Sequence, residues 1–596
     1  MRITAWATRD VPLTGRSPQY YVACCCVCYS PQHMINGQFN CSTVVLARDV
    51  FVRLPSVPFV DDNAMGKGVR RAMKELVYPR LLLQRAEQFA DKVAFIDVSG
   101  TGITYEGTFE NHMDRLVRLA NSMRNVLGLK PGDRFAVLAA NSHQYIELYH
   151  AAMFGAGIIN PLNIRLAPSE LAYVLNDSGS KVVFTDALFS TLLERARDEG
   201  AMVDTTVMID GESEGGVLGY EDLVAVGRPI MPPEPDEDDP AVLMYTGGTT
   251  GFPKGVLLQQ RAEVLNVHHV LSAIGLREER RFLFQAPMFH AALVAGILGI
   301  PASGATSVTI PLFDAELVLH VIEEQQIDTT MVVPIMLSML EQVEGFSPRR
   351  LRTLRQLVYG AAPIAETLLS RWLEMLPDTD FLQGYGMTEA ASALTFLSAE
   401  DHRRGGSGLT AAGRPLFGIN VRITSEAGEA LPQGESGEVC ARGGNFMREY
   451  WNKPEESKHV LRDGWYRTGD MGFFDENHLL HLTDRLNDMI VTGGENVYST
   501  EVENALASHP AVREVAVIGI PSDVWGETVH AIVVLRKNGK VTAQELIDHA
   551  RKSLAGFKVP KSVEFRDSPL PLSGAFKPLK RELRRRYWES NERQVS

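Results

Sequence analysis

The sequence has no long apolar run, few cysteines in its body and no excess of positive charge. No stretch of about 18 apolar residues occurs, so no transmembrane helix is predicted, and peripheral membrane contact is left open. Of six cysteines only Cys440 follows Cys41, which argues against a disulfide-built body and favours a reducing, cytoplasmic compartment. A formal net charge of −14 disfavours nucleic acid as the main partner, because phosphate backbones are repelled.

The sequence also lacks the complete motifs of several common sites. Neither Gly66-Lys67 nor Gly539-Lys540 is followed by Ser or Thr, so a P-loop NTPase is excluded. Gly155-Ala156-Gly157 has no third glycine, which disfavours a Rossmann dehydrogenase. Gly211-Glu212-Ser213-Glu214-Gly215 resembles a serine hydrolase elbow, but its glutamates and the absence of a following helical pattern indicate an acidic turn.

A chain of 596 residues is expected to form more than one domain. Residues 1–64 lack periodicity and are predicted to be an irregular extension, in which Cys25 and Cys28 lack the second pair of a zinc site. In residues 65–486 strand-like and helical stretches alternate, which predicts an α/β domain of parallel-type sheets with flanking helices. This domain ends in a small β-rich subdomain, and residues 487–596 are predicted to form a smaller α+β domain.

A loop rich in glycine and threonine follows the apolar run 241–244. Its candidate ligand-binding residues are Thr246, Gly247, Gly248, Thr249, Thr250, Gly251 and Lys254. Glycines let the backbone approach a ligand closely, and successive N–H groups can surround an anion. Hydroxyls and one ammonium group add to this, so the loop predicts a polyphosphate cradle rather than a flexible turn.

The loop resembles the signature of the adenylate-forming superfamily, which includes acyl-CoA and aryl-CoA synthetases, nonribosomal adenylation domains and luciferases. Other motifs of that superfamily follow in order. They are Gly360-Ala361-Ala362-Pro363, Gly384-Tyr385-Gly386-Met387-Thr388-Glu389, Tyr466-Arg467-Thr468-Gly469-Asp470, Asp484-Arg485-Leu486-Asn487-Asp488, Gly493-Gly494-Glu495-Asn496-Val497-Tyr498 and Pro571-Leu572-Ser573-Gly574-Ala575-Phe576-Lys577. The resemblance covers roughly residues 75–590 and implies a large N-terminal domain and a mobile C-terminal one.

The resemblance implies ATP, Mg²⁺ and coenzyme A as ligands, and it assigns the nucleotide-binding residues. The adenine segments would be Gly360, Ala361, Ala362, Gly384, Tyr385, Gly386 and Met387, with Tyr385 stacked on the base. Asp470 and Arg485 would bind the ribose or a phosphate. Thr388 would contact the α-phosphate, and Glu389 would ligate Mg²⁺, a cation that favours carboxylate oxygens.

The resemblance also assigns residues to the two half-reactions. Lys577 would be the catalytic lysine of adenylation, with Lys580 as a neighbouring alternative, and His290 would shape the acyl pocket without transferring a proton. Gly493 and Gly494 would line the pantetheine tunnel. Two positions depart from the common pattern: Phe576 replaces a glycine before the lysine, and Asn487 stands at the hinge, where Asp or Lys is common.

These motifs predict an AMP-forming acid–CoA ligase. The acid is expected to be a medium- or long-chain fatty acid, because the segments 287–300 and 331–340 are largely apolar. An aromatic or steroid side-chain acid is the alternative substrate. A carrier-protein-loading domain, a luciferase-like oxygenase and a non-catalytic nucleotide-binding protein are the other interpretations left open.

Overall fold

The computed structural model describes residues 44–47, 50–53, 76–100, 102–211, 213, 217–246, 253–485, 488–492, 495–522, 525–537, 539–573 and 576–588. By its internal contacts the chain divides into two units, Met1–Lys74 and Glu75–Ser596. The small unit contains an antiparallel hairpin of β1 (Val44–Ala47) and β2 (Val50–Arg53). Four-residue strands give too few alternations of apolar and polar residues to be detected from sequence. The prediction of an irregular extension therefore did not include this hairpin. Cys25 and Cys28 lie outside the described residues.

Sixteen α-helices are described in the large unit. They are α1 (Tyr78–Gln88), α2 (Phe109–Asn125), α3 (His143–Met153), α4 (Pro168–Ser178), α5 (Ala187–Asp198), α6 (Tyr220–Val226), α7 (Gln260–Ile274), α8 (Ala291–Ala302), α9 (Ala315–Glu324), α10 (Pro334–Leu340), α11 (Glu366–Met375), α12 (Ala399–Arg404), α13 (Pro454–Val460), α14 (Ser499–Ala507), α15 (Ala543–Ala550) and α16 (Lys580–Trp588). Thr108, Ser142 and Asp186 cap the helices that follow them, since each side chain accepts a backbone N–H of the first turn. None of the described helices is both long and apolar enough to cross a bilayer.

The described strands of the large unit run in chain order from β3 to β29. They are β3 (Val93–Ser99), β4 (Gly102–Thr108), β5 (Arg134–Leu138), β6 (Ile158–Pro161), β7 (Val182–Thr185), β8 (Thr205–Met208), β9 (Leu218–Gly219), β10 (Pro240–Thr246), β11 (Lys254–Gln259), β12 (Arg281–Phe284), β13 (Thr306–Thr309), β14 (Thr329–Val332), β15 (Gln356–Gly360), β16 (Asp380–Tyr385), β17 (Thr395–Leu397), β18 (Arg414–Pro415), β19 (Asn420–Thr424), β20 (Gly437–Arg442), β21 (Glu449–Tyr450), β22 (Leu461–Arg462), β23 (Trp465–Phe474), β24 (Leu480–Arg485), β25 (Ile490–Thr492), β26 (Glu495–Val497), β27 (Val512–Ser522), β28 (Gly526–Leu535) and β29 (Ser562–Arg566).

Two large sheets form the body of this unit. The first has eight strands in the order β21-β11-β10-β6-β5-β7-β8-β9, and the second has nine in the order β18-β17-β16-β15-β14-β12-β13-β3-β4. Their interior pairs are parallel, and strands such as β7 are buried at every position, as expected for parallel strands covered by helices on both faces. The predicted α/β class is confirmed. Antiparallel pairs at the edges, β10–β11 and β16–β17 among them, make both sheets mixed.

Two smaller sheets follow. Strands β19, β20, β23 and β22 form a sheet in that order with β24 added to β23, and this is the predicted β-rich subdomain. Near the C-terminus, β26-β25-β28-β27 and β29 form a sheet with its own core, which includes Val502, Leu506, Val529 and Leu546. A separate core explains why this segment was recognisable as a compact unit. The predicted boundary between residues 486 and 487 stays a prediction.

Candidate active site

A cavity of about 2070 Å³ lies at the carboxyl ends of central strands of the second sheet. In open α/β sheets the crevice at this edge is the usual place for a ligand. The predicted site residues that line it are Thr246, Lys254, His290, Ala361, Ala362, Gly384, Tyr385, Gly386, Met387, Thr388, Glu389, Asp470 and Lys577. The fold therefore brings together residues that are far apart in the chain, and Gly360 ends β15 directly before Ala361.

Some predicted residues fall outside the described part of the chain. They are Gly247, Gly248, Thr249, Thr250, Gly251, Asn487, Gly493 and Gly494. The backbone of Arg485 is described, at the end of β24 and directly opposite Asp470 of β23. This pairing places the backbones of the ribose motif and the hinge motif side by side, while the roles of these residues stay predictions.

The two ends of the predicted phosphate loop are held together by an antiparallel pair. Thr246 at the end of β10 lies opposite Lys254 at the start of β11. The Lys254 Nζ lies 2.5 Å from Glu456 Oε2 and 5.4 Å from the ring centroid of Tyr450. The hydrogen bond from Lys254 holds the pKa of the Glu456 carboxyl below its usual value. The lysine is thus paired with a carboxylate at the wall of the cavity, and a phosphate group has the chemistry to replace that partner.

The adenine segments need glycine because two backbones approach each other closely. Gly360 of β15 pairs with Gly384 of β16, and a Cβ on Gly360 would lie 2.3 Å from the Gly384 carbonyl oxygen. A Cβ on Gly386 would lie 1.9 Å from the Ser392 carbonyl oxygen. Contacts this short are excluded for real side chains, so both positions require glycine in this backbone. At Gly360 and Gly386 the backbone therefore carries no side chain, and we call this stretch beside the cavity the glycine ledge.

Tyr385 and Asp470 connect this ledge to the β-rich subdomain. The Tyr385 hydroxyl donates a 2.6 Å hydrogen bond to Asp470 Oδ2. Asp470 is only 9% exposed and lies on β23, where its N–H donates to Thr468 Oγ1. A carboxylate can accept several hydrogen bonds, so Asp470 has the chemistry to bind the hydroxyls of a ribose.

Glu389 lies in a 3₁₀ turn, Thr388–Ala390, and is held by a tyrosine. The Tyr450 hydroxyl donates a 2.7 Å hydrogen bond to Glu389 Oε1 and lies 3.4 Å from the Tyr466 hydroxyl oxygen. Burial, followed by the negative charge of Glu389, raises the pKa of Tyr450 well above its ordinary value, so the phenol keeps its proton.

A Mg²⁺ ion fits this environment only with help from a phosphate ligand. Among the described residues no group of three or more His, Cys, Asp or Glu side chains could hold a metal ion alone. Mg²⁺ is commonly bound by one or two carboxylates together with substrate phosphates and waters. Glu389, at the wall of a cavity beside the phosphate-loop strands, matches that chemistry.

Three residues of this region were missed from the sequence. Tyr450 and Glu456 contact Glu389 and Lys254, but they lie in a segment, 449–460, that carries no recognisable motif. Tyr466 lies 3.4 Å from Tyr450, hydroxyl to hydroxyl, and is the first residue of the ribose motif. Its place in that motif is the one signal that could have identified it.

Lys577 is presented by a tight turn of the C-terminal part. The Ser573 N–H donates to the Lys577 carbonyl oxygen at 2.7 Å, and the Lys577 N–H donates to Ser573 Oγ at 3.1 Å. Lys580, the alternative lysine, donates instead to Ser499 Oγ at 2.6 Å and lies 2.7 Å from Glu503 Oε1. These partners belong to the C-terminal part itself, and both lysines line the cavity, so the choice of Lys577 as the catalytic lysine stays a prediction.

His290 caps α8 and lines the cavity. Its Nδ1 accepts the N–H of Ala292 at 3.2 Å, so the neutral ring carries its proton on Nε2. Burial, followed by the positive charge of Lys577, lowers the pKa of His290 to about 3. A ring that stays neutral at physiological pH agrees with a role in shaping the pocket, and the effect of Lys577 shows that its charge lies close by.

The lowered pKa of His290 makes stability depend on pH. Below about pH 6.5 the unfolded chain protonates this histidine and the folded chain does not, so stability falls as pH decreases toward 3. His290→Asn removes this histidine and can still cap the helix. Between pH 7 and pH 5 we expect the free energy of unfolding of the intact protein to fall by about 2 kcal/mol more than that of the variant. Urea unfolding at the two pH values measures this. Equal losses in both proteins would contradict the assigned pKa.

Comparisons with known proteins agree with this geometry. The family model "AMP-binding enzyme" matches residues 82–451, and "AMP-binding enzyme C-terminal domain" matches residues 501–577. The chain belongs to the AMP-binding enzyme family. The predicted membership of the acyl-CoA synthetases within the adenylate-forming superfamily is confirmed, as is the prediction of an enzyme. ATP, Mg²⁺ and CoA are the ligands that such AMP-forming enzymes use.

Three relatives illustrate the range of this family. A feruloyl-CoA synthase from Amycolatopsis sp. is 38% identical over 82% of this chain and 94% of its own length. The long-chain-fatty-acid–CoA ligase FadD13 of Mycobacterium tuberculosis is 33% identical over 85% of this chain and 98% of its own length. The o-succinylbenzoate CoA synthetase of Bacillus subtilis, solved with its acyl-adenylate, is 30% identical with a TM-score of 0.73 over 84% of this chain and 97% of that structure. The family thus includes enzymes that act on aliphatic acids and enzymes that act on aromatic acids.

Proposed function

We propose that this enzyme is an ATP-dependent acid–CoA ligase. A carboxylate oxygen would attack the α-phosphorus of ATP and expel pyrophosphate, and the CoA thiol would then attack the acyl carbonyl, lose its proton and release AMP. The observation that carries this proposal is that Lys577, Thr388, Glu389 and Asp470 line a single cavity. The first step joins two anions, so it requires positive charge and fixed geometry at the reacting atoms.

Each of these side chains has a chemical role in that step. The Lys577 ammonium group would stabilise negative charge shared by the carboxylate and the α-phosphate. The Thr388 hydroxyl would donate to the α-phosphate, and Asp470 would accept from the ribose hydroxyls. Mg²⁺, held at Glu389, would neutralise phosphate charge.

The acyl substrate is proposed to be a medium- or long-chain fatty acid. One group of residues in the cavity wall, contributed by α7, α8 and strands of the second sheet, is apolar, and we call it the apolar branch: Val270, Leu271, Ile274, Phe282, Ala295, Gly296, Ile300, Met331, Val358 and Phe396. It extends along α8 from His290 to Ile300, about 15 Å at 1.5 Å per residue. None of these ten described wall residues carries a charge, which suits an extended hydrocarbon chain. The similarity to a feruloyl-CoA synthase supports an aromatic acid as the second candidate.

A panel of acids tests both candidates. Purified enzyme with ATP, Mg²⁺ and CoA would be assayed for pyrophosphate, AMP and acyl-CoA with octanoate, dodecanoate, hexadecanoate, ferulate and cinnamate. We expect the highest kcat/KM with dodecanoate or hexadecanoate. A higher value with ferulate or cinnamate would transfer the assignment to an aromatic acid, and no product with any acid would contradict the ligase assignment.

The length of the apolar branch can be changed at Gly296. A Cβ there would lie 3.2 Å from Cε1 of the buried Phe284 and 4.0 Å from Cζ of Phe282, which lines the branch. We expect Gly296→Val to lower kcat/KM for hexadecanoate about tenfold more than for octanoate, since each lost CH₂ contact costs about 0.8 kcal/mol. Ala302→Val, at the end of the same helix but outside the wall of this cavity, is the matched control. An equal loss for both acids would place the acyl chain elsewhere.

A further inference from the structure

Phe576 precedes Lys577 directly and has an unusual backbone conformation. Its φ is +58°, in the left-handed region that bulky residues rarely adopt. The side chain is nevertheless buried, with 9% exposure. A strained conformation persists only where surrounding contacts compensate for it. The contacts of the ring therefore show which interactions compensate for the strain at Phe576.

The ring lies between two loops of the N-terminal part. The Arg165 guanidinium carbon is 4.2 Å from the Phe576 ring centroid, within the range of a cation–π contact. The Phe313 ring centroid is 6.2 Å away at an interplanar angle of 72°, an edge-to-face contact. We call Arg165 and Phe313 the socket of Phe576.

The socket is built from both large sheets. Arg165 follows β6 of the first sheet, and Phe313 follows β13 of the second. Arg165 Nη1 also donates to the Ser573 carbonyl oxygen at 3.2 Å, so it binds the start of the lysine turn as well as the ring. The turn that carries Lys577 is thus anchored to the rest of the molecule one residue away from the lysine.

We propose that Phe576 is a positioning residue, which seats the lysine turn in its socket and holds Lys577 in place for the adenylation half-reaction only. This inference rests on the proposed function. Adenylation joins two anions and requires a fixed ammonium group, whereas acyl transfer to the thiol begins after pyrophosphate has left and needs no such bridge. Removal of the ring should therefore affect the first half-reaction and spare the second.

Half-reaction kinetics of the full-length enzyme test this inference. Phe576→Gly removes the ring and tolerates the positive φ, Phe576→Tyr keeps an aromatic ring, and Arg165→Met removes the guanidinium group of the socket. Phe557→Ala is the control, because Phe557 is an exposed aromatic residue of the same C-terminal part. Single-turnover pyrophosphate release reports adenylation, and conversion of preformed acyl-adenylate with CoA reports the second step. Thermal unfolding shows whether each variant is folded.

We expect Phe576→Gly to slow pyrophosphate release about tenfold or more at saturating ATP, with KM for ATP and the second half-reaction changed less than about twofold. Arg165→Met should slow the same step by a smaller factor. Phe576→Tyr and Phe557→Ala should retain the rate of the intact enzyme. An equal loss in both half-reactions, or an unchanged rate of pyrophosphate release in folded Phe576→Gly, would overturn the inference.

Hydrogen exchange separates failure of this inference from failure of the proposed function. Phe576, Lys577 and Leu579 donate backbone N–H groups within the turn, to the Ser573 carbonyl oxygen, Ser573 Oγ and the Pro571 carbonyl oxygen. If no acid supports pyrophosphate release by the intact enzyme, the proposed function fails. Amide exchange of segment 571–579 should still rise several-fold in Phe576→Gly and not in Phe557→Ala. Unchanged exchange would overturn the anchoring itself.

Discussion

Lys577→Ala should reduce the rate of pyrophosphate release about 10²- to 10³-fold, the loss typical when one preorganised charge-stabilising group is removed. Its ammonium group lies at the cavity wall, close enough to lower the pKa of His290. The same variant should still convert preformed acyl-adenylate and CoA into acyl-CoA, because pyrophosphate has already left in that step. Stopped-flow measurement of the two half-reactions checks both expectations.

Lys580→Ala is the matched control for this experiment. Lys580 donates to Ser499 and pairs with Glu503, so its removal should lower the stability of the C-terminal part rather than the rate of adenylation. We expect the rate per folded molecule to stay within about threefold of the intact enzyme, as for a partner of a partly exposed ion pair. If Lys580→Ala abolished adenylation and Lys577→Ala did not, the catalytic lysine would have to be reassigned.

Asp470→Ala is expected to raise KM for ATP about 100-fold and to change kcat much less. Hydrogen bonds to a charged group contribute about 1.5–3 kcal/mol each, and the carboxylate would accept from ribose hydroxyls at a distance from the reacting phosphorus. The substitution also leaves the Tyr385 hydroxyl without its 2.6 Å acceptor. Steady-state kinetics with varied ATP measure the effect.

Tyr385→Phe separates the two parts of the Asp470 effect. This variant keeps the ring that would stack on adenine and removes the hydroxyl that orients the carboxylate. We expect KM for ATP to rise about fivefold, the value of one hydrogen bond of about 1 kcal/mol. A decrease in kcat without a change in KM for Asp470→Ala would contradict the ribose assignment.

The sequence predicted those parts of the fold that depend on local pattern. Within the alternating stretches of residues 65–486, the β-branched run 181–185 predicts a strand, and Val182–Thr185 is a fully buried parallel strand. The edge pair β16–β17 could not be predicted, because Thr395–Leu397 is only three residues long and its pairing depends on the completed sheet. The hairpin of β1 and β2 was missed because its four-residue strands give too few alternations.

Some residues of the candidate site could likewise be predicted from the sequence, and others could not. Motif residues such as Thr388 and Asp470 were predicted because their spacing is itself a signal, and the structure places them in one cavity. Arg165 and Ser573, by contrast, are 408 positions apart, and nothing in either segment indicates that they meet. Contacts of this kind are set by how the domains pack, so only the structure shows the socket of Phe576.

The close approach of β15 and β16 also restricts how this sequence can change over many generations. A side chain at position 360 would collide with the backbone of residue 384, so no single compensating substitution at that neighbour could relieve it. Substitution of Gly360 would therefore require the backbones of β15 and β16 to move apart. On helix α8 the wall of the cavity is formed by side chains such as those of Leu293 and Ala295 rather than by two closely spaced backbones. New acid specificities should accordingly arise along α8, while the proposed nucleotide surface stays fixed.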